Sequence, residues 1–326
     1  MLTAAAAMVA ALVFVVSTRD EVTPADTTVP RRPTTTLLPA VEDLGGRLRA
    51  TIQVRNTADS IAIADDAVWV SGWDGPTVSR IDARTNEVTT VNVGFSGTHV
   101  ALGAGGVWVG VDEGLLLRLD PDSGEVIATI DTAGDSAPLP VTGDGAVWVQ
   151  DLANDVVSRI DPQTNEVTAT VDLAAPGIGG AEGMVIVGGL VWVNTCGGPV
   201  SIDPQTLAVS EPIALDGCGN AIGMADGSLW VGLAGGRTAR VDPVEREVEV
   251  ILDIGPFDDA PFLATGDGAM WRGLTTSTIA RIDTATNAVT EVLDLGRSGQ
   301  AAGVAVGRGS LWAGDWARLS VLRIDP

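Results

Sequence analysis

Chemistry near neutral pH needs a titrating or nucleophilic side chain, and in this chain the list is short. There is one histidine, His99, in the segment SGTHVALG. A lone imidazole can shuttle a proton, but no partner motif stands beside it and a loop hydrogen bond accounts for it as well. No G-x-S-x-G elbow, Walker loop, dinucleotide fingerprint or zinc-protease motif occurs. The two cysteines, Cys196 and Cys218, are not spaced as a C-x-x-C redox or zinc pair; an even count in an exported chain predicts a disulfide between them. Carboxylates are plentiful: 42 acidic residues stand against 19 basic ones, all arginine, for a formal net charge of −23. Such a surface repels phosphate backbones, which excludes nucleic acid as a partner, and it also keeps a soluble surface self-repelling.

The elements that must position these groups follow from a repeat. Trp69, Trp108, Trp148, Trp192, Trp230, Trp271 and Trp312 recur in apolar triplets such as VWV, with a period of about 40 residues, the length of a propeller blade. A second mark follows each of them, an apolar residue and then Asp: Asp82, Asp120, Asp161, Asp203, Asp242, Asp283 and Asp325. In DPQTNEV, from Asp161 to Val167, the Asp can accept backbone N–H groups, Pro sets φ, and Asn takes the left-handed position, so these residues read as turns rather than ligands. Each unit reads as four strands with period-two alternation: an inner one such as SIAIA, a second around the Trp, a third such as VSRID and an outer one such as EVTATVDL. The fold class is all-β, a seven-bladed β-propeller of four-stranded antiparallel blades. The chain ends at RIDP, one strand short of a seventh blade, and RLRATIQV (Arg47 to Val54) matches an outer strand, so it is expected to complete the last blade and close the ring.

One tryptophan per blade at a fixed strand position is core packing between sheets. Departures from the repeat are therefore the candidates for function. Loops joining second to third strands emerge on the same face as loops joining blade to blade. That face collects Trp73, Asp74, His99, Asp112, Glu113, Asp135, Asp151, Asn154, Asp155, Asp216, Asn220, Asp258, Asp259, Arg297, Asp315 and Trp316. Arg272 follows Trp271 where other units mostly carry Val; it either lines the channel and meets an anion or an Asp, or reaches solvent. Of these, Trp73, Asp74, His99, Asp112, Asp151, Asn220, Arg272, Asp315 and Trp316 are the ligand-binding candidates, and no catalytic residue is assigned. No cofactor is predicted. Clustered carboxylate and amide oxygens suit a hard ion such as calcium or magnesium, yet no D-x-[DN]-x-[DN]-G calcium loop occurs and a solvated acidic rim explains the same residues.

The units AVWV…VVSRIDPQTNEVTATVDL and AMWRG…TIARIDTATNAVTEVLDL resemble the YncE-like, YVTN-type propeller repeats of secreted and cell-surface bacterial proteins, and are similar to those of the virginiamycin B lyase family. The likeness covers about Arg47 to Pro326. It implies the propeller fold; for the lyase members it would also imply a His, a Glu and a second His with magnesium. With His99 as the sole histidine, that pair is not assembled here.

Upstream, residues 1–18 include the uncharged run LTAAAAMVAALVFVVST from Leu2, expected as a signal peptide or transmembrane anchor, which makes the membrane a partner. Residues 19–45, rich in Thr and Pro, are expected as a disordered stalk, and residues 46–326 as the propeller. The reading is a monomeric, extracytoplasmic, non-catalytic binding or sensor module presenting an acidic face to a protein, glycan or small ligand. The alternatives are a metal-dependent lyase or lactonase-type enzyme, and the outer sensor half of a membrane receptor or kinase.

Overall fold

In a computed structural model the described residues are 34–36, 38–174, 183–255, 263–275, 277–296 and 301–326. Seven sheets follow one another along the chain. The first blade shows the plan: Ser60–Ile63 innermost, then Ala67–Ser71, Thr77–Asp82 and, outermost, Val88–Asn92, each antiparallel to the next. Each inner strand abuts the inner strands of both neighbouring blades, first against seventh included, so the sheets form a closed ring.

The repeated tryptophans are why neighbouring sheets stay together. All seven are at most 1% exposed. Each packs forward onto the second strand of the following blade: Trp69 against Val107 and Val109, Trp148 against Val191 and Val193, Trp312 against Val68 and Val70. Second strands are buried along all or nearly all of their length because a sheet lies on either side of them, as in Ala146–Asp151. The outer strand of the same blade, Glu166–Asp172, is mostly exposed.

The Asp-marked turns have the expected chemistry. Asp82 Oδ1 accepts from the backbone N–H of Arg84 and of Thr85, both at 2.8 Å, and Asp203 and Asp242 accept from the residues two and three positions on in the same way. Those backbone donors hold the carboxyl of Asp82, Asp120 and Asp203 below the ordinary range; for Asp283 the Thr286 hydroxyl and then its N–H do so. Four positions after the Asp, Asn86, Asn165 and Asn287 adopt φ of 65°, 59° and 59°, the left-handed conformation that Asn tolerates.

Ring closure is as the sequence implied. Leu48–Gln53 lies antiparallel to Ser320–Ile324, Ile52 opposite Val321 and Gln53 opposite Ser320, completing the seventh blade. Two features depart from expectation. First, the stalk does not stay free to residue 45: Thr34–Thr35 adds in parallel to the outer strand Glu247–Asp253 of the fifth blade, and Val41–Asp43 to Ala288–Asp294 of the sixth. Those outer strands offer unpaired backbone groups to any extended segment beside them. Second, the fourth blade has three strands, Met184–Val187, Leu190–Val193 and Val200–Ile202. Pro212 occupies the register position that Thr170 holds in the third blade, where the backbone N–H faces away from the third strand, so its missing donor leaves the neighbouring ladder bonds in place. Backbone bonds remain on both sides of it: Ser210 donates its N–H to Ser201 O at 2.9 Å while its hydroxyl accepts from Ser201 N at 2.9 Å, and Ile213 donates its N–H to Pro199 O at 3.0 Å.

No helix among the described residues is long and apolar enough to cross a membrane. The apolar run from Leu2 to Thr18 lies outside the described residues, as do Asp258, Asp259 and Arg297.

Candidate binding site at the channel mouth

Where the inner strands begin, on the face that carries the blade-to-blade loops, they surround a cavity of about 370 Å³. Every blade contributes to its lining: Asp59, Ser60 and Ile61 from the first, His99 from the second, Leu139 and Leu152 from the third, Gly183 and Met184 from the fourth, Asn220 to Ile222 from the fifth, Leu263 from the sixth, Gly303 and Val304 from the seventh. The walls are mainly aliphatic, with polar groups at a few points, the usual make-up of a small-molecule site.

Three inner strands carry a β-bulge at this mouth, and bulges re-aim side chains. One falls between Gly97 and His99, one between Gly219 and Ala221 around Asn220, and one between Ala301 and Val304. At the last, Gly303 donates its N–H to Ala58 O at 2.8 Å, and a Cβ there would come within 2.8 Å of the Asp59 carbonyl oxygen. Only glycine lets the seventh blade come this close to the first.

His99 has a half-buried ring that no described residue hydrogen-bonds. Burial lowers its pKa from 6.5 to about 4, so the imidazole is neutral at physiological pH and offers one donor and one acceptor. Across the mouth, Asn220 Oδ1 accepts from Arg272 Nη2 at 2.8 Å, which fixes the amide with its NH₂ as the remaining donor. Arg272 is 2% exposed and burial lowers its pKa to about 10. It is thus an internal group and not a solvent-reaching one. Its guanidinium occupies the space beside Gly232, where a Cβ would meet it at 2.6 Å.

Sequence reasoning missed Asp59. Its Oδ2 accepts from the Trp73 N–H at 3.0 Å and from the Thr57 hydroxyl. Burial, and after it the nearby Asp74 charge, push the carboxyl above its ordinary value; the Thr57 and Trp73 bonds only partly offset them. A signal was present: Asp59 stands ten positions before Trp69 as Asn220 stands ten before Trp230, so alignment on the tryptophans pairs them.

The other candidates lie around the rim. The two tryptophans outside the repeat meet each other: Trp73 and Trp316, in the second-to-third-strand loops of the first and seventh blades, pack edge to face with ring centroids 5.5 Å apart, and Trp73 remains 52% exposed. Asp74 Oδ1 accepts from Thr57 N at 2.8 Å, and Asp112 is exposed. Asp151, with Asp135 and Asn154, lines a separate cavity of about 340 Å³ between second and third blades. Burial alone would raise Asp151, but bonds from Asn154, Ser136, Ala153 and Asp135 outweigh it and hold the carboxyl below the ordinary value. Asp315 is buried beside Arg318, with Oδ2 and Nη1 3.4 Å apart. The acidic candidates are therefore dispersed, and among the described residues no three His, Cys, Asp or Glu side chains gather as metal ligands would.

Cys196 and Cys218 form a disulfide across a sequence separation of 22. It ties a loop of the fourth blade to the segment leading into the fifth, beside the missing outer strand.

No family model and no curated protein matches the chain. Among solved structures it is similar to the computationally designed Ika8 protein, with a TM-score of 0.62 and 14% identity over 86% of this chain and 100% of that one. At that identity the likeness concerns the fold alone.

Proposed function

We propose that this chain is a non-catalytic binding module of the YncE-like, YVTN-type propeller class, held outside the cytoplasm, whose ligand seats in the channel mouth. One observation carries the reading. The cavity that all seven blades line holds three residues that depart from the repeat, Asp59, His99 and Asn220, which with Ser60 are its polar points on otherwise aliphatic walls. A scaffold under no demand at its channel would present the same residue types seven times over. The extracytoplasmic assignment rests on the apolar run from Leu2 to Thr18 and on the Cys196–Cys218 disulfide, which suits an oxidising compartment.

The test is a capture experiment on the full chain. Immobilised protein is exposed to a small-molecule extract and the retained compounds are identified by mass spectrometry, beside a Leu139→Trp variant whose larger side chain fills the mouth. A compound retained by the wild type and lost from the variant supports the proposal. Identical retention by the two proteins would sink it.

A further inference from the structure

We infer that the channel mouth binds a small organic cation, an ammonium group on an apolar body, with Asp59 as its counter-charge. This rests on the binding reading above and adds the chemistry of the ligand.

Asp59 is a carboxylate that the protein has not finished pairing. Both of its side-chain hydrogen bonds, from Thr57 and from the Trp73 N–H, fall on Oδ2; Oδ1 receives none from a described residue. No arginine among the described residues forms an ion pair with it, and the charge that does lie near, Asp74, has the same sign. A carboxylate partly withdrawn from water gains from a cation that meets it, so a site of this kind favours a ligand that brings one. Nothing opposite competes for the role: His99 is neutral, and Arg272 on the far side is bonded to Asn220.

The rest of the mouth selects an organic cation over a metal ion. A hard metal takes six or more oxygen ligands, and no three acidic or imidazole groups gather among the described residues. The walls offer Ile61, Leu139, Met184, Ile222, Leu263 and Val304, which suit an alkyl or ring body. A cavity of about 370 Å³ lies at the small end of ligand sites. The Trp73–Trp316 pair adds indole surface on the loop whose N–H holds Asp59, and a net charge of −23 raises the local concentration of cations at such a cleft.

The experiment uses the full chain and three isosteric probes: cyclohexylammonium, cyclohexanol and cyclohexanecarboxylate, each titrated by calorimetry. The expected ranking puts the ammonium at least tenfold tighter than the alcohol, with the carboxylate weakest. Asp59→Asn should reduce ammonium affinity at least tenfold and the alcohol's by far less, because the amide loses the charge but keeps an acceptor for Thr57 and Trp73. An ammonium no tighter than the alcohol, no binding of the ammonium at all, or full ammonium affinity in Asp59→Asn, overturns the inference. The probe ranking on the unmodified chain decides the matter even where that variant fails to fold. Leu139→Trp keeps the two proposals apart. If alcohol and ammonium bind equally and both are lost in that variant, the channel-mouth site stands and the cation falls; if the variant changes no probe, the site itself falls.

Discussion

Arg246 lies over the ring of Trp192, 5.4 Å from its centroid, although the two residues belong to different blades. At Trp108, Trp230, Trp271 and Trp312 the cation comes from the tryptophan's own blade. Arg118, Arg240 and Arg323, on third strands, lie over Trp108, Trp230 and Trp312 and reach forward to the next blade's turn. There Nη1 donates to the side-chain oxygen of Asn165, Asn287 or Asn86, at 2.9, 3.1 and 3.0 Å. In the fourth blade Ser201 occupies the arginine's position, and Arg246 occupies the asparagine's in the fifth-blade turn. Arg246 reaches back instead, donating to Glu211 O at 2.6 Å and Ser210 Oγ at 3.1 Å. The latch between blades is kept with its direction reversed.

Arg246→Asn should therefore destabilise the fold by about 2 kcal/mol, the sum expected of one cation–π contact and charge-assisted bonds in a part-buried place. Adding Ser201→Arg should recover much of that loss by rebuilding the forward latch. Thermal unfolding of the two single variants and the double variant measures the coupling. Strictly additive effects would show that the two positions do not exchange roles.

Closure through the first propeller strand makes a harsher prediction. Without residues 47–54 the strand Ser320–Ile324 becomes a free edge, and the buried side chain of Ile52 is lost from the core it shares with Trp312 and Val321. The truncated chain should lose cooperative unfolding and aggregate. A sharp, wild-type-like melt in near-ultraviolet circular dichroism would contradict the structural role assigned to this strand.

Legibility followed repetition. The tryptophans, the Asp turns and the closing strand could be read because each recurs or completes a pattern, and local turn chemistry and burial produce the same signal every time. What lay outside the pattern was harder. Trp73 and Trp316 stood out singly, but their contact depends on the ring bringing the first and seventh blades together. Asp59 stands just before the inner strand SIAIA and carries no mark of its own, since its place in the cavity comes from a close approach that needs Gly303.

The disulfide should matter most where the sheet is thinnest. Replacing Cys196 and Cys218 together by Ser removes a cross-link closing a loop of 22 residues, worth about 3 kcal/mol on the chain-entropy model. Because the fourth blade lacks a regular outer strand, hydrogen exchange should accelerate first in residues 194–218 and leave the first and second blades protected. Uniform acceleration around the ring would mean that the bridge supports the whole fold and not this blade.

His99 gives the fold a pH dependence of definite sign. Its ring takes up a proton at the ordinary value of 6.5 in the unfolded chain but only at about 4 in the folded one, because burial penalises the imidazolium. Between those values the unfolded state binds more protons, so this residue's contribution is full above pH 6.5 and is lost progressively as pH falls toward 4. Asp59 acts in the opposite sense: its raised pKa means that protonation on acidification favours the folded state. The useful quantity is therefore the difference between wild type and His99→Gln, followed by urea unfolding at intervals from pH 7 to 4. That difference should shift steadily against the wild type as pH falls; a constant difference would show that the ring titrates alike in both states and is not held out of water in the folded chain.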